Sequence, residues 1–296
     1  MGAIGVPLFF MISGYVMTSS AQRQKSLVTF LRNRFARLYP LFAISLSFSY
    51  LVFWGSNLIR HVNTPVMPSF LINLTMTPKL LGDYFANGAH WTLEVELHFY
   101  LIMSILIYLG RINFLKLSLF CMTVAEFLLK TTNGYDWIPG LWRIDLHFGL
   151  IHFSTYFLLG VIAGEGISKS MINKIICICC VFDLFAWKHY PGLPCLLLYL
   201  CFLAAVHNKL KILDCKPLVF LGTISFSLYL FHGPIGYPLI AHLQPFVNIN
   251  LLIALASSIS IAISSILCYR VEQPLYQYLR TKKAHSVANS TKPQVV

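Results

Sequence analysis

Residues 250–269 read NLLIALASSISIAISSILCY, twenty positions without an Asp, Glu, Lys or Arg. An α-helix rises ~1.5 Å per residue, so such a run covers about 30 Å, the thickness of a bilayer's hydrocarbon core. In that solvent every backbone N–H and C=O of a single span must be satisfied within the span, which requires a helix. Eight further runs read the same way, at 3–19, 38–56, 91–109, 113–130, 149–166, 172–188, 192–207 and 218–241. The expected fold is all-α, a polytopic integral membrane helix bundle with about nine transmembrane helices. Composition agrees. The 296 residues are 57% hydrophobic and 11% charged, whereas soluble domains carry about a quarter charged residues. Disorder and an ordinary soluble enzyme are thereby excluded.

The charges test the span count independently. Net charge is +12, a value that in a soluble chain would suggest nucleic acid as partner. Here Lys and Arg lie between apolar runs and form no separate basic domain, so no nucleic-acid partner is expected. With the first run entering from outside, 17 Lys and Arg fall on inner segments and 5 on outer ones, Arg60, Lys79, Lys130, Arg143 and Lys188. The positive-inside rule then places the N-terminus outside and the C-terminus in the cytoplasm. One transmembrane domain is expected over 1–280, followed by a polar, disordered cytoplasmic tail over 281–296. The outer segment 57–90, broken by Pro65, Pro68, Pro78 and Gly82, is expected to cover the outer mouth. Cys177, Cys179 and Cys180 lie inside an apolar run with no partner pair at zinc spacing, and read as ordinary helix thiols.

Several constellations interrupt this apolar background. Arg34 and Arg37, three apart in the first inner loop, share one face of a helix and present forked donors suited to phosphate. The plainer reading is a positive-inside anchor touching anionic lipid headgroups. Around the third span, His90, Glu94 and His98 follow at i, i+4 and i+8 on one stripe, with Glu96 near the opposite face. Ionisable groups are expensive in that position and must face a bundle interior or a wet cavity. At most three ligands line up and the H-E-x-x-H arrangement is missing, so no metal is expected. Glu96 reads as a general acid/base or as a structural hydrogen-bond partner.

In the eighth span, Ser225, Tyr229 and His232 fall on one side, and Pro234 should kink the helix and open carbonyls of the preceding turn to other partners. His232 reads as a packed hydrogen-bond partner or as a catalyst. Glu126, Glu165 and Asp183 are further polar residues inside spans, either helix-to-helix partners or cavity-facing groups.

Five ordered segments, 5–15 (GVPLFFMISGY), 34–40 (RFARLYP), 91–100 (WTLEVELHFY), 227–232 (SLYLFH) and 269–274 (YRVEQP), together resemble the membrane acyltransferase 3 family. Residues 5–15 are similar to its G-V-x-[LF]-F-F-x-[IL]-S-G-[FY] segment, 34–40 to R-x-x-R-[IL]-Y-P, and 91–100 to W-[ST]-L-x-V-E-x-x-F-Y. Residues 227–232 resemble S-L-Y-L-x-H, and 269–274 resemble a terminal [YR]-x-[IV]-E-x-P. The resemblance implies an integral enzyme of the bacterial inner membrane that takes an acyl group, usually acetyl, from cytoplasmic acyl-CoA. The acceptor it implies is a hydroxyl of a cell-surface carbohydrate or lipid-linked glycan, such as lipopolysaccharide.

Carried onto this chain, the resemblance assigns the acid/base roles to Glu96 and His232, the CoA phosphates to Arg34 and Arg37, and substrate contacts to Ser13, Trp91 and Tyr229. Family members normally begin with an extra span bearing an arginine and a histidine thought to be catalytic. This chain starts in what resembles the second span, so the expectation includes reduced or absent activity for the chain alone. The alternative expectation is a non-catalytic membrane protein or polysaccharide exporter on the same scaffold. An ion-coupled transporter is disfavoured for want of repeats or paired broken helices.

Overall fold

The computed structural model describes residues 5–23, 26–55, 68–132, 149–186 and 192–278. Among them the secondary structure is entirely helical. The helices are α1 (Gly5–Arg23), α2 (Leu27–Gly55), the short α3 (Phe70–Asn73), α4 (Trp91–Tyr108), α5 (Leu115–Thr131), α6 (Leu150–Glu165), α7 (Met171–Ala186), α8 (Gly192–Val206), α9 (Lys216–Leu243) and α10 (Ile249–Leu267). Each of the nine apolar runs coincides with one long helix. Five are long and apolar enough to cross a membrane on length and composition, and α1, α6 and α8 are shorter apolar helices. The protein is an all-α, polytopic membrane protein. Residues 57–67 of the long connection 57–90, expected to cover the outer mouth, and the tail 281–296 lie outside the described residues.

The second span differs from expectation. The apolar run begins at 38, but α2 starts at Leu27 and carries Pro40 inside it. Arg32, Arg34 and Arg37 are therefore on a helix and not in a loop. At ~1.5 Å per residue, its 29 residues exceed the hydrocarbon thickness. The charged first third can extend past the apolar layer while the backbone stays helical. Hydropathy reports the solvent a segment needs, not where its hydrogen-bond ladder begins.

The chain divides into two compact units, Met1–Phe30 with Thr92–Cys215, and Leu31–Trp91 with Lys216–Val296. In the first unit α1 packs on α6 through glycine. A Cβ on Gly14 would stand 2.2 Å from the Phe157 carbonyl oxygen, and one on Gly160 would stand 2.0 Å from that of Met11. Only hydrogen fits at either position. Small residues that let backbones approach this closely are the usual adhesive of membrane helices. Rings fill the remaining space, with Phe10 at 4.9 Å from both Phe153 and Phe157 and Phe99 stacked on Phe157 at 4.2 Å. α6 is buried continuously from Phe153 to Ala163, as a helix apolar on all faces should be when it occupies a core.

The intramembrane charges of this unit join helices to one another. Lys130 on α5 lies 3.2 Å from Glu126 and 3.2 Å from Asp183 of α7. His152 Nδ1 on α6 is 2.6 Å from Glu126, and the Thr155 hydroxyl donates to Asp183 at 2.5 Å. At the opposite end of the same helices, Lys116 pairs with Glu165 at 2.6 Å and donates to the Asn173 side chain at 2.8 Å. Of the two readings open for Glu126, Glu165 and Asp183, the structure realises helix-to-helix pairing.

In the second unit α9 packs on α10, which continues through a π-helical turn, Cys268–Glu272. The stretch 68–90 folds around Asn73. The Asn73 amide donates to the carbonyls of Ser69 and Tyr84 and accepts from the Ala86 N–H, each at 3.0 Å. Asp83 accepts the Ser69 N–H at 2.7 Å. All eight cysteines are free thiols.

Candidate functional site

The site is built around one proline. Within α9, Pro234 has no N–H to offer the carbonyl four residues earlier, that of Leu230. The missing donor leaves that oxygen available, and two side chains from elsewhere take it. Ser45 Oγ of α2 donates to it at 3.0 Å, and Asn87 Nδ2 donates to it at 3.0 Å. A reciprocal bond runs back, from the Tyr229 hydroxyl to the Ala89 carbonyl at 3.0 Å. Segment 87–90 and the turn 229–232 are thus tied in both directions.

His232 belongs to that turn. Its Nδ1 lies 2.7 Å from the Tyr229 carbonyl oxygen. A carbonyl can only accept, so Nδ1 carries the proton and, in the neutral ring, Nε2 carries the lone pair. His232 lines a groove of about 710 Å³ between α9 and α10. Ser225 and Tyr229 share its wall, as their i, i+4, i+7 spacing predicts, and Ser257 and Ser260 of α10 complete the polar lining of an otherwise mostly apolar surface.

Arg37 is exposed on α2 and Arg34 is half-buried. The Arg37 charge acts on the carboxylate of Glu272, which also accepts the Ser227 hydroxyl at 3.0 Å. Three of the five motif segments therefore meet in this unit. Glu272 stands out only here. Its place in the last motif is visible in the sequence, but its partners lie 45 positions away and further, and it sits in a π turn, a distortion frequent at functional sites.

His90 precedes α4 and is almost fully buried. Its ring stands edge-on to Phe42 at 4.8 Å, and Nε2 lies 3.3 Å from Ser45 Oγ. Asn87 Nδ2, which can only donate, approaches the same nitrogen at 3.4 Å, whereas Ser45 Oγ can donate or accept, so Nε2 is the shared polar contact of the ring. Nδ1 finds no partner among the described residues. Protonation would strand an N–H there, and burial holds the pKa at about 3.

The remaining expected residues are distributed. Arg34, Arg37, Trp91, Tyr229 and His232 belong to the second unit, and Ser13 and Glu96 to the first. Ser13 is buried beside the Gly14 contact, and Trp91 is half-buried at the start of α4. Glu96 is buried and its Oε1 accepts the Tyr100 hydroxyl one turn on. Glu94 and His98 are buried too, so the N-terminal half of α4 is enclosed on both the stripe and the face opposite to it. The hydroxyl of Tyr229 spends its donor on Ala89.

Comparison with known proteins agrees with this architecture. The model of the acyltransferase 3 family, described as an acyltransferase domain, matches residues 1–270. An O-acetyltransferase, OatA, of Staphylococcus aureus is 27% identical over 286 residues, 79% of this chain and 46% of its own length. Acyltransferase MdmB of Streptomyces mycarofaciens is 29% identical over 108 residues, covering 34% of this chain and 27% of its own. An O-acetyl transferase of Shigella phage Sf6 is 27% identical over 115 residues, covering 35% of this chain and 34% of its own. The chain therefore spans less than half the length of these curated relatives. No solved structure matches. A family match over nearly the whole chain, on helices that bring three of the motif segments together, shows that the chain belongs to the membrane acyltransferase 3 family.

Proposed function

We propose that the chain is a membrane-embedded O-acyltransferase that moves an acyl group, acetyl first among candidates, from acyl-CoA to a hydroxyl of a cell-surface carbohydrate or lipid-linked glycan. The observation that carries this reading is His232, fixed with Nδ1–H on a backbone carbonyl so that Nε2 is a proton acceptor on the wall of a groove. In the proposed reaction Nε2 takes the proton of the acceptor hydroxyl while that oxygen attacks the thioester carbonyl carbon. The C–S bond of the tetrahedral intermediate then breaks, and the imidazolium returns its proton to the departing thiolate. An ester and a free thiol result, and the imidazole is neutral again.

Arg34 and Arg37 are assigned to the phosphates of the donor at the cytoplasmic end of α2, where forked guanidinium groups suit phosphate oxygens. Glu96 is the acid/base candidate of the first unit, and Ser13, Trp91 and Tyr229 are kept as candidate substrate contacts. The 17-to-5 division of Lys and Arg supports an N-terminus outside and a C-terminus in the cytoplasm, and membership of the family supports a bacterial inner-membrane location.

The test is transfer of radiolabel from acetyl-CoA to glycan by membranes containing the chain, with the acetylated product identified by mass spectrometry. His232→Ala is expected to lower kcat by about 10² to 10⁴, the range of a general base. Arg37→Ala is expected to raise KM for acyl-CoA with a smaller effect on kcat. Equal rates for the unaltered chain and His232→Ala would overturn the reading.

A further inference from the structure

We infer that Asn87 is a positioning residue for acyl transfer, holding through the Leu230 carbonyl the turn of α9 that presents His232 to the groove. The inference rests on the reading of His232 as the base. It starts from an oxygen that the sequence itself exposes, since Pro234 removes the N–H that would have closed the helical bond to Leu230. A helix whose ladder is broken by proline can bend in several directions. Here the direction is set from outside the helix by two donors, Asn87 Nδ2 and Ser45 Oγ, each at 3.0 Å.

The orientation of the Asn87 amide is determined at its oxygen, while Nδ2 also lies 3.4 Å from His90 Nε2. Its Oδ1 accepts the Ala89 N–H at 3.0 Å, so the nitrogen and not the oxygen must face Leu230. The backbone of residue 87 is fixed in turn, because its carbonyl accepts the His90 N–H at 3.0 Å. Asn87 is also close-fitted to α9 at Gly233, where a Cβ would stand 3.4 Å from Oδ1. Between the clamped Leu230 and the Gly233 contact lies His232, and the residue before Leu230 supplies both the carbonyl that fixes the His232 tautomer and the hydroxyl bonded to Ala89. Each fastening of the 87–90 segment to α9 thus falls within three residues of the base.

Asp at position 87 would keep the bond to Ala89 but turn a carboxylate oxygen toward the Leu230 carbonyl, replacing a donor by a second acceptor. Asn87→Asp is therefore a sharper test than Asn87→Ala, and Asn87→Gln, which keeps the donor on a longer arm, is the conservative control. Activity is normalised to folded protein recovered as a single species in detergent, so that loss of folding is separated from loss of rate. Asn87→Asp and Asn87→Ala are expected to lower kcat about 10- to 100-fold, the scale of a misplacement of about 1 Å, with KM for acetyl-CoA unchanged and the pH dependence of kcat displaced. Asn87→Gln should recover part of kcat, and Ser45→Ala, which leaves Asn87 in place, should lose less.

Pro234→Ala supplies the test that a general packing role fails. It gives Leu230 an intrahelical partner again, so Asn87→Ala should have a much smaller effect on kcat in that background than in the unaltered chain. If His232→Ala abolishes transfer while Asn87→Ala and Asn87→Asp leave kcat and its pH profile unchanged, the positioning role is wrong and the base assignment stands. If the Asn87 effect is the same size with and without Pro234, the carbonyl is not its route and the inference falls. Full activity of His232→Ala overturns the base assignment and this inference with it.

Discussion

α6 and α9 are both apolar helices with interior glycine, yet they treat the backbone in opposite ways. In α6 the glycines are contact points. Gly160 is pressed against the Met11 carbonyl, the helix is buried around its circumference, and the ionisable groups near it are paired across three helices. In α9 the irregularities are openings. Pro234 and Pro238 interrupt the ladder, a methyl added at Gly222 or Gly236 would meet nothing within 4 Å, and one wall lines a groove. The first unit uses its departures from Leu and Ile to fix helices together, and the second uses them to expose polar atoms. Chemistry that needs a proton acceptor and room for a ligand belongs with the second pattern.

The contrast predicts unequal responses to losing a cation. Lys130 is nearly buried between Glu126 and Asp183, so Lys130→Met would leave two enclosed carboxylates facing each other. Removing one partner of a buried ionic cluster typically costs about 3 to 5 kcal/mol, and the expected outcome is a chain that unfolds at much lower temperature in detergent or fails to accumulate. Arg37→Met, at an exposed position of the second unit, should change thermal stability by less than about 1 kcal/mol while impairing use of acyl-CoA. Equal losses of stability would dissolve the distinction between a scaffold unit and a working unit.

Glycine substitution sharpens it next. Gly160→Ala places a methyl against backbone that cannot rotate away, and overpacking of this kind costs about 1 to 3 kcal/mol. Gly222→Ala meets open space and exchanges a poor helix former for the best, a gain of up to about 1 kcal/mol in a helix interior. Thermal unfolding of the two variants in the same detergent should therefore shift in opposite directions. A destabilised Gly222→Ala would mean that this face of α9 is covered by something that needs it bare.

How far these features could be read before the structure depends on their range along the chain. The spans were legible because hydropathy and helical period are local, and so was the stripe of Ser225, Tyr229 and His232 with its proline two residues on. The start of α2 was not, since Arg32, Arg34 and Arg37 end an apolar run without ending a helix. Glu96 and His98 could be recognised as costly but not placed, because an enclosed helix gives no contrast between its faces. The meeting of Ser45, Asn87 and Leu230 was beyond any periodicity argument. Its members are separated by 42 and 143 positions, and only packing of the second unit, itself assembled from two distant stretches, selects them. Glu272 was hidden for the same reason, in a motif that shows its residue type and not its partners.

The smallest expected effect concerns His90, whose environment belongs to the second unit's pattern of uncovered polar atoms. Its ring is buried against Phe42, its Nδ1 lacks an acceptor or donor among the described residues, and its folded pKa is held down to about 3 from an ordinary value near 6.5. The unfolded chain then takes up a proton at this residue between those values while the native chain does not. Stability from this site is complete above about pH 6.5 and declines as the pH falls toward 3, by at most about 1.4 kcal/mol per unit. Between pH 6.5 and 5.5 the loss should be about 1 kcal/mol, and His90→Asn, which cannot titrate, should flatten that part of the stability curve. Identical pH curves for His90→Asn and the unaltered chain would mean that the His90 ring is solvated in the native state, and with it the Ser45 and Asn87 side chains that close on Leu230.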